Sequence, residues 1–228
     1  LAHRGFTHSL LFCLLSTLAL ALAAEKWHRP HNIAFKKWCT FFGIAIFFHI
    51  FLDAFNNYGT GWFEPFSHMR ISFNTIYVAD PFFSLWPILA LLALMLLKRS
   101  SAWRATAWKL GFMLSAAYLF YAIFNKVNID RETREILKEQ NISYNQYFTT
   151  PAPLQNWLWF VVAGNEKGFH VGFRSLFDSK KKINFEYFPR NDSLLQAVHD
   201  KENVQKLIRF SQGFYTLSKE NDTLLLDR

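Results

Sequence analysis

The sequence of residues 38–55 is WCTFFGIAIFFHIFLDAF, an almost entirely apolar run. Its length is close to the ~20 residues that a helix needs to cross the hydrocarbon core of a bilayer. Three more apolar runs, at residues 9–24, 81–97 and 106–124, have a similar length. The runs at 9–24 and 81–97 are slightly short, which tilt and flanking aromatic residues can absorb. The chain is therefore predicted to be an integral membrane protein with about four transmembrane helices.

The composition separates two halves of the chain. The 228 residues are 51% hydrophobic and 18% aromatic, which excludes a disordered protein. Residues 1–125 hold the apolar runs, whereas residues 126–228 hold most of the charge. The net charge is +8, which in a membrane protein reflects cytoplasmic loops and lipid headgroups more often than nucleic acid. No nucleic-acid-binding motif is evident, so no nucleic acid is expected as a partner.

The first apolar run has a second interpretation. Residues 20–24 (LALAA) resemble a signal-peptidase site after a short hydrophobic segment. Only Arg4 supplies positive charge before this run, and three further apolar runs follow it. A transmembrane helix is therefore preferred over a cleaved signal peptide.

Loop charges predict the orientation of the spans. Residues 25–37 carry four Lys or Arg against one acid, and residues 98–109 carry four with no acid. Because basic loops remain in the cytoplasm, the first and third loops are predicted to be cytoplasmic. The N-terminus, the second loop and the C-terminal domain are then predicted to be extracytoplasmic.

The second half of the chain has a different pattern. Residues 128–140 favour a helix that continues the fourth span out of the membrane, and residues 145–155 resemble a linker. Residues 156–228 contain alternating segments typical of hairpins and a helix beginning near Asp192. The predicted fold is mainly α, with a transmembrane helical domain at 1–127, an extension and linker at 128–155, and a small α+β soluble domain at 156–228.

Histidine and aspartate residues lie near the predicted ends of three spans. His3 and His8 precede the first span, and His49 and Asp53 form an H-x-x-x-D pattern at the end of the second. Residues i and i+4 share one face of a helix, so this spacing can present a nitrogen and an oxygen to one metal ion. Asp80 precedes the third span. Ionisable groups near lipid are costly and therefore indicate function.

The loop charges place these five residues at the same, outer end of the spans. Imidazoles together with carboxylates suit Zn²⁺ or Mn²⁺, or a pair of such ions. The sequence therefore predicts a metal site formed by His3, His8, His49, Asp53 and Asp80. Asp53 and Asp80 are also the candidate catalytic carboxylates.

Each candidate also has an alternative interpretation. His3 could be a terminal surface residue, and His49 could form a hydrogen bond with a neighbouring helix. Asp80, followed by proline, could cap the third helix. Arg70 is suited to bind an anionic group of the substrate, and it is equally suited to bind a lipid phosphate.

Four motifs occur together in a recognisable order: HRGFTHS at 3–9, HIFLDAFNNYG at 49–59, PFSHMR at 65–70 and VADP at 78–81. With this combination the chain resembles the bacterial membrane-bound metal-dependent hydrolases of the YdjM type, also described as LexA-binding, inner-membrane-associated hydrolases. The motifs cover roughly residues 1–100, and the rest fits longer members by layout only. The resemblance implies that His3, His8, His49 and Asp53 are metal ligands, with Asp80 a further candidate.

Members of that family usually carry further His and Asp motifs upstream of HRG. This chain begins with Leu rather than Met and does not include that region. It is therefore expected either to be a fragment, with further ligands before Leu1, or to have an incomplete metal site.

The sequence thus predicts a metal-dependent hydrolase of the bacterial inner membrane, in which metal-activated water attacks an ester or phosphodiester at the membrane face. The expected partners are membrane lipid and an amphiphilic or ester substrate, with a protein partner as a further option through residues 156–228. The alternative is a non-catalytic membrane scaffold or protein-interaction module. A transporter is ranked third, because the third and fourth runs offer few polar residues near the bilayer midplane.

Overall fold

The structure is a computed structural model that describes residues 5–28, 33–179, 182–195, 202–211, 214–220 and 223–227. Its contacts divide the chain into two compact units, Leu1–Val78 and Ala79–Arg228. These limits differ from the predicted domain limits. The four apolar helices pack in two successive pairs, and the fourth of them continues into the C-terminal region. The fold is mostly helical with a small sheet region toward the C-terminus, which confirms the predicted class.

Among the described residues, three helices are long and apolar enough to cross a membrane: α1 (Leu10–Trp27), α2 (Phe35–Asp53) and α4 (Trp103–Glu139). The helix α3 (Pro81–Leu96) is apolar but has 16 residues. At 1.5 Å per residue it is about 24 Å long, shorter than a hydrocarbon core of about 30 Å. Length and composition therefore support three spans, and the predicted count of about four is not confirmed.

Small side chains allow α1 and α2 to pack closely in the first unit. Ala21 and Thr17 of α1 are buried. A Cβ added to Gly43 of α2 would lie 3.5 Å from Thr17 Cγ2, which is ordinary van der Waals contact. Because the two helices are consecutive and packed together, the beginning of α1 and the end of α2 come to the same end of the pair.

The segment after α2 is folded back on the end of that helix. The amides of Phe73 and Thr75 donate to the carbonyls of Ala54 and Phe55, both at 2.7 Å. Thr60 and Ile71 form an antiparallel bridge, with both of their N–H···O distances at 2.9 Å. The bridge closes residues 61–70 into a loop with a defined base.

In the second unit, α4 compensates for a proline inside α3. Pro87 has no N–H to donate to the carbonyl of Phe83, four residues earlier. The Ser115 hydroxyl of α4 donates to that carbonyl at 3.1 Å. Close approach makes this contact attainable, since a Cβ added to Gly111 would lie only 2.5 Å from Ala90 Cβ. Such compensation matters most in lipid, where water cannot satisfy a carbonyl.

The other end of α3 is also satisfied by α4. The Arg104 guanidinium donates to the carbonyls of Leu94 and Leu97, which lie in or next to the last turn of α3. Helix carbonyls at this position have no partner within their own helix. The α3–α4 pair is therefore tied by polar contacts as well as by apolar packing.

The helix α4 extends beyond its apolar part through Glu139, as predicted for residues 128–140. An antiparallel sheet follows it, in the order β1-β2-β3-β4. Its strands are β1 (Gln146–Pro151), β2 (Leu158–Gly164), β3 (Gly168–Ser175) and β4 (Glu186–Pro189). The prediction of a linker at 145–155 was therefore wrong for most of that segment. Tyr147 to Thr150 favour a strand, and all six β1 residues pair with β2.

The sheet is attached to the extension of α4 by an apolar cluster and by ion pairs. Ile136 of α4 packs with Val161 of β2 and with Ile183. Arg174 of β3 pairs with Glu132 of α4 at 3.0 Å. The polar part of α4 thus forms one layer of the C-terminal region.

The remainder of the second unit contains a short 3-10 helix at Asp192–Leu195, the helix α5 (Glu202–Ser211), and a hairpin of β5 (Thr216–Glu220) and β6 (Thr223–Asp227). The final hairpin was predicted. The predicted helix from Asp192 is present as these two helical pieces, and residues 196–201 lie outside the described residues.

Candidate metal centre

The position of His8 is set by the beginning of α1. Phe6–His8 form a short 3-10 helix, and the Ser9 hydroxyl then caps α1 by accepting from the Phe12 amide at 3.0 Å. The Leu10 amide donates to the Trp62 carbonyl at 3.0 Å, which ties this end of α1 to the following loop. Because Ser9 is fully buried, the His8 backbone is held immediately before a fixed cap.

His49 and Asp53 occupy the last turns of α2, which ends at Asp53. Their spacing of four residues places both side chains on one face, as the sequence predicted. The helix ends here with tight turns, in which the Ala54 amide donates to the Phe51 carbonyl at 3.2 Å. A rigid helix therefore presents two candidate ligands together.

The three side chains of His8, His49 and Asp53 converge. One ligand atom from each lies within 4.8 Å of the others. His8 Nε2 is 3.4 Å from Asp53 Oδ2, and the His8 and His49 ring centroids are 5.3 Å apart. Two ligands bound tetrahedrally at ~2.0–2.1 Å from one ion lie about 3.3 Å apart, so the His8–Asp53 separation fits a shared ion. The donor set of two imidazoles and one carboxylate suits Zn²⁺ or Mn²⁺.

The hydrogen bond on the other His8 nitrogen affects this fit. His8 Nδ1 lies 3.1 Å from the Thr7 hydroxyl. When Nδ1 carries the proton and donates to that hydroxyl, Nε2 has no proton and its lone pair can bind a cation. Thr7 was not among the predicted site residues, although its position next to His8 in the HRGFTHS motif was a signal for such a contact.

Exposure differs among the three residues. His49 is exposed, whereas the His8 and Asp53 side chains retain 15% and 21% of their full exposure. Partial burial strengthens electrostatic contact with a cation, and the exposed side leaves room for water or substrate. The arrangement is compatible with a site that keeps an open coordination position.

Arg70 lies at the base of the 61–70 loop in the same unit. Its Nη1 donates to the Tyr58 and Gly59 carbonyls at 3.4 and 3.5 Å. Gly59 has a φ of +68°, and a Cβ at that position would lie 3.0 Å from the Ile71 carbonyl oxygen. This close approach requires glycine and brings the turn against the segment that carries Arg70.

Asp80 belongs to the second unit, where it caps α3. Its Oδ1 accepts from the Phe82 and Phe83 amides at 2.9 and 3.2 Å. Its Oδ2 accepts from the Tyr118 hydroxyl at 2.8 Å, and the residue is 1% exposed. The alternative capping interpretation is thus observed, while the predicted metal and catalytic roles of Asp80 stay predictions. Tyr118 was not among the predicted site residues, so its contact with Asp80 was missed.

His3, the remaining predicted ligand, lies outside the described residues. Among the residues that the structure describes, His8, His49 and Asp53 form the group suited to a metal ion. The chain thus retains a candidate centre from three of its predicted ligands.

Two comparisons relate the chain to known proteins. An 81-residue segment is 33% identical to the Bacillus subtilis (strain 168) protein described as "Uncharacterized protein YfhP". The match covers 35% of this chain and 24% of that protein, so the chain spans a minor part of its relative. No solved structure matches the chain. Residues 1–129, more than half of the chain, match the YdjM inner membrane protein family. The protein is therefore a member of the YdjM inner membrane protein family.

Proposed function

We propose that the protein is a membrane-bound hydrolase that uses a divalent cation held by His8, His49 and Asp53. The observation that carries the proposal is the convergence of these three side chains at the ends of two membrane-capable helices. Ionisable residues at such positions are costly unless they are paired or functional. Zn²⁺ and Mn²⁺ are the cations that best match the donor set.

A bound divalent cation would supply Lewis acidity and acidify a water at neutral pH. The protein contributes His8 and His49 as neutral nitrogen ligands and Asp53 as an anionic ligand or proton acceptor. The water oxygen would bond to the carbon or phosphorus of the scissile group as the ester C–O or P–O bond breaks. Asp53 would accept the proton that the attacking water loses, and the leaving oxygen would take up that proton.

Arg70 is proposed to bind the anionic group of the substrate. Its guanidinium is held by two loop carbonyls rather than extending freely into water. The planar guanidinium can donate to two oxygens of a phosphate or a carboxylate at once. Because the site lies where helices leave the apolar region, an amphiphilic ester or phosphodiester with a lipid-like headgroup is the substrate class proposed.

Removal of the metal is expected to abolish hydrolysis by the full chain reconstituted in lipid nanodiscs. The probes are bis(p-nitrophenyl) phosphate and a p-nitrophenyl acyl ester, followed by nitrophenolate absorbance. A chelator should reduce the rate to background, and Zn²⁺ or Mn²⁺ should restore it. Asp53→Ala should reduce the rate at least about a hundredfold, because the cation supplies several kcal/mol of transition-state stabilisation.

His68→Ala is the matched control for this assay. His68 is a histidine of the same unit that is exposed and pairs with Glu64 at 3.0 Å. Its replacement should leave the rate close to that of the wild type. A rate that neither the chelator nor Asp53→Ala alters would exclude metal-dependent hydrolysis by this centre.

A fourth span and an orientation complete the proposal. We assign α3 as the fourth span, because side chains of α4 donate to the α3 carbonyls that have no partner within that helix. Ser115 donates to the Phe83 carbonyl, which Pro87 cannot bind, and Arg104 donates to a carbonyl at the end of α3. Polar satisfaction within the helix pair is what a lipid environment demands. With four spans, the basic loops at 25–37 and 98–109 remain cytoplasmic and the metal centre faces the extracytoplasmic side.

This orientation is tested with reporters fused after Arg228. Alkaline phosphatase, which is active only outside the cytoplasm, should be active at this position. A green fluorescent protein fusion at the same position should be dark. The reverse pattern would place the C-terminus in the cytoplasm and would contradict either the fourth span or the loop assignment.

A non-catalytic scaffold is the second candidate function. Phe173 of β3 and Phe177 in the turn after β3 are exposed, and a protein partner could cover them. Under this alternative, the His8–Asp53 contact would act as a structural ion pair. The nitrophenyl assay separates the two functions, because a scaffold should hydrolyse neither probe.

A further inference from the structure

The 61–70 loop of the first unit carries large apolar side chains on its surface. Phe63, Phe66 and Met69 are 44%, 85% and 54% exposed. Exposed aromatic residues of this size in a short loop indicate an interaction surface. These three side chains have no part in the proposed metal centre, to which the loop contributes only Arg70 as the proposed substrate-binding residue.

The loop has a defined local structure rather than an extended path. The amides of Phe66 and Ser67 donate to the Phe63 carbonyl at 2.9 and 3.0 Å, which forms a helical turn at the tip. The Thr60–Ile71 bridge closes its base. Because the turn is already structured, it loses little further conformational entropy when its exposed apolar side chains bind a partner surface.

The chain path places this loop at the level of the membrane boundary. The loop begins a few residues after Asp53, the last residue of the membrane-capable helix α2. The Trp62 carbonyl accepts from the Leu10 amide, so the loop also meets the first residue of α1. The chain connection to α2 and the hydrogen bond to α1 therefore hold the loop where both helices leave the apolar region.

We infer that the tip of this loop, through Phe63, Phe66 and Met69, inserts into the leaflet from which α1 and α2 emerge. The occupant is the phospholipid bilayer itself, because the loop follows α2 in the chain and meets the first residue of α1, and both helices are long and apolar enough to cross a membrane. Aromatic side chains are favoured at the membrane–water interface. Arg70 follows the tip directly and suits the phosphates of the headgroup layer.

Site-directed spin labelling measures the depth of the tip. Phe66→Cys is made in the full chain with Cys13 and Cys39 replaced by alanine. The labelled protein is reconstituted in vesicles of phosphatidylethanolamine and phosphatidylglycerol. Accessibility to oxygen, which concentrates in lipid, is compared with accessibility to a water-soluble nickel chelate.

Two reference labels calibrate the result. One label is placed by Leu14→Cys, at an exposed position of α1 within its apolar run. The other is placed by Ser218→Cys, at an exposed position of β5. The Phe66 label is expected to give an oxygen-to-nickel ratio close to that of Leu14 and several-fold above that of Ser218. Phe63→Cys provides a second position on the same turn. Ratios at both tip positions equal to that of Ser218 would overturn the proposal.

The outcome is independent of the metal chemistry. The metal content of each labelled sample is measured in parallel. A deep label in a protein without metal supports insertion and contradicts only the proposed centre. A water-exposed label in a protein with normal metal content overturns insertion alone.

Discussion

His8→Ala, His49→Ala and Asp53→Ala should each lose bound metal when the protein is purified with its membrane lipids and analysed by inductively coupled plasma mass spectrometry. The expected loss is large because each variant removes one of the three candidate ligands in the described cluster. Removal of an outer-shell partner already costs 10–100-fold in affinity, so loss of a ligand should exceed about a hundredfold. Competition with a chromogenic zinc chelator measures that change directly.

His68→Ala serves as control here as well, because it removes an imidazole that pairs with Glu64 away from the cluster. It should retain the metal content of the wild type. Unchanged metal in all three cluster variants would contradict the centre. The 3.4 Å contact between His8 and Asp53 would then be a simple ion pair, whose removal lowers stability without changing metal content.

Arg174→Met is expected to destabilise the C-terminal region by about 3 kcal/mol, near the low end for breaking a buried ion pair. The Arg174 side chain is 5% exposed and contacts two acids. Its Nη2 lies 3.0 Å from Glu132 Oε2, and its Nη1 lies 3.5 Å from Asp178 Oδ2. Methionine fills similar space but leaves Glu132 without this cation. The low end applies because Glu132 remains 24% exposed and keeps part of its hydration.

Hydrogen exchange of the β3 amides, analysed as a free energy of opening, measures this effect locally. Arg131→Met is the matched control, since Arg131 is exposed on α4 and donates to the side-chain oxygen of the nearby Asn128 at 3.3 Å. It should change β3 exchange little. The double variant Arg174→Met/Glu132→Leu should recover part of the loss, because it removes both charges. Wild-type exchange in Arg174→Met would show that the ion pair does not hold the sheet to α4.

The apolar helices were predictable from the sequence because the cost of leaving backbone groups unsatisfied in lipid allows few alternatives to a helix. The four runs all form helices, and the H-x-x-x-D spacing placed His49 and Asp53 on one face without knowledge of any partner. The continuation of α4 through residues 128–139 was predictable for the same local reason, since its charged residues favour helix.

Strand β1 shows where local pattern failed. Two prolines and several polar residues in 145–155 indicated a linker, yet β1 pairs with β2 along its whole length. That pairing depends on β2, which lies later in the chain and supplies the hydrogen-bond partners. Strand formation depends on such partners more than helix formation does, so a local reading underestimates it.

By itself, the sequence determined that the chain is a mainly helical membrane protein with candidate ligands near the ends of its spans, because helix periodicity and span length are local properties. Only the tertiary structure decided which ligands meet. The capped beginning of α1 and the last turns of α2 bring His8 close to His49 and Asp53. The Thr7 hydroxyl lies 3.1 Å from Nδ1 of His8. The Asp80 carboxylate caps the first turn of α3 and accepts a hydrogen bond from the Tyr118 hydroxyl. Such convergence depends on how helices pair and on which hydrogen bonds each carboxylate makes, and residue spacing along one chain does not encode these contacts directly.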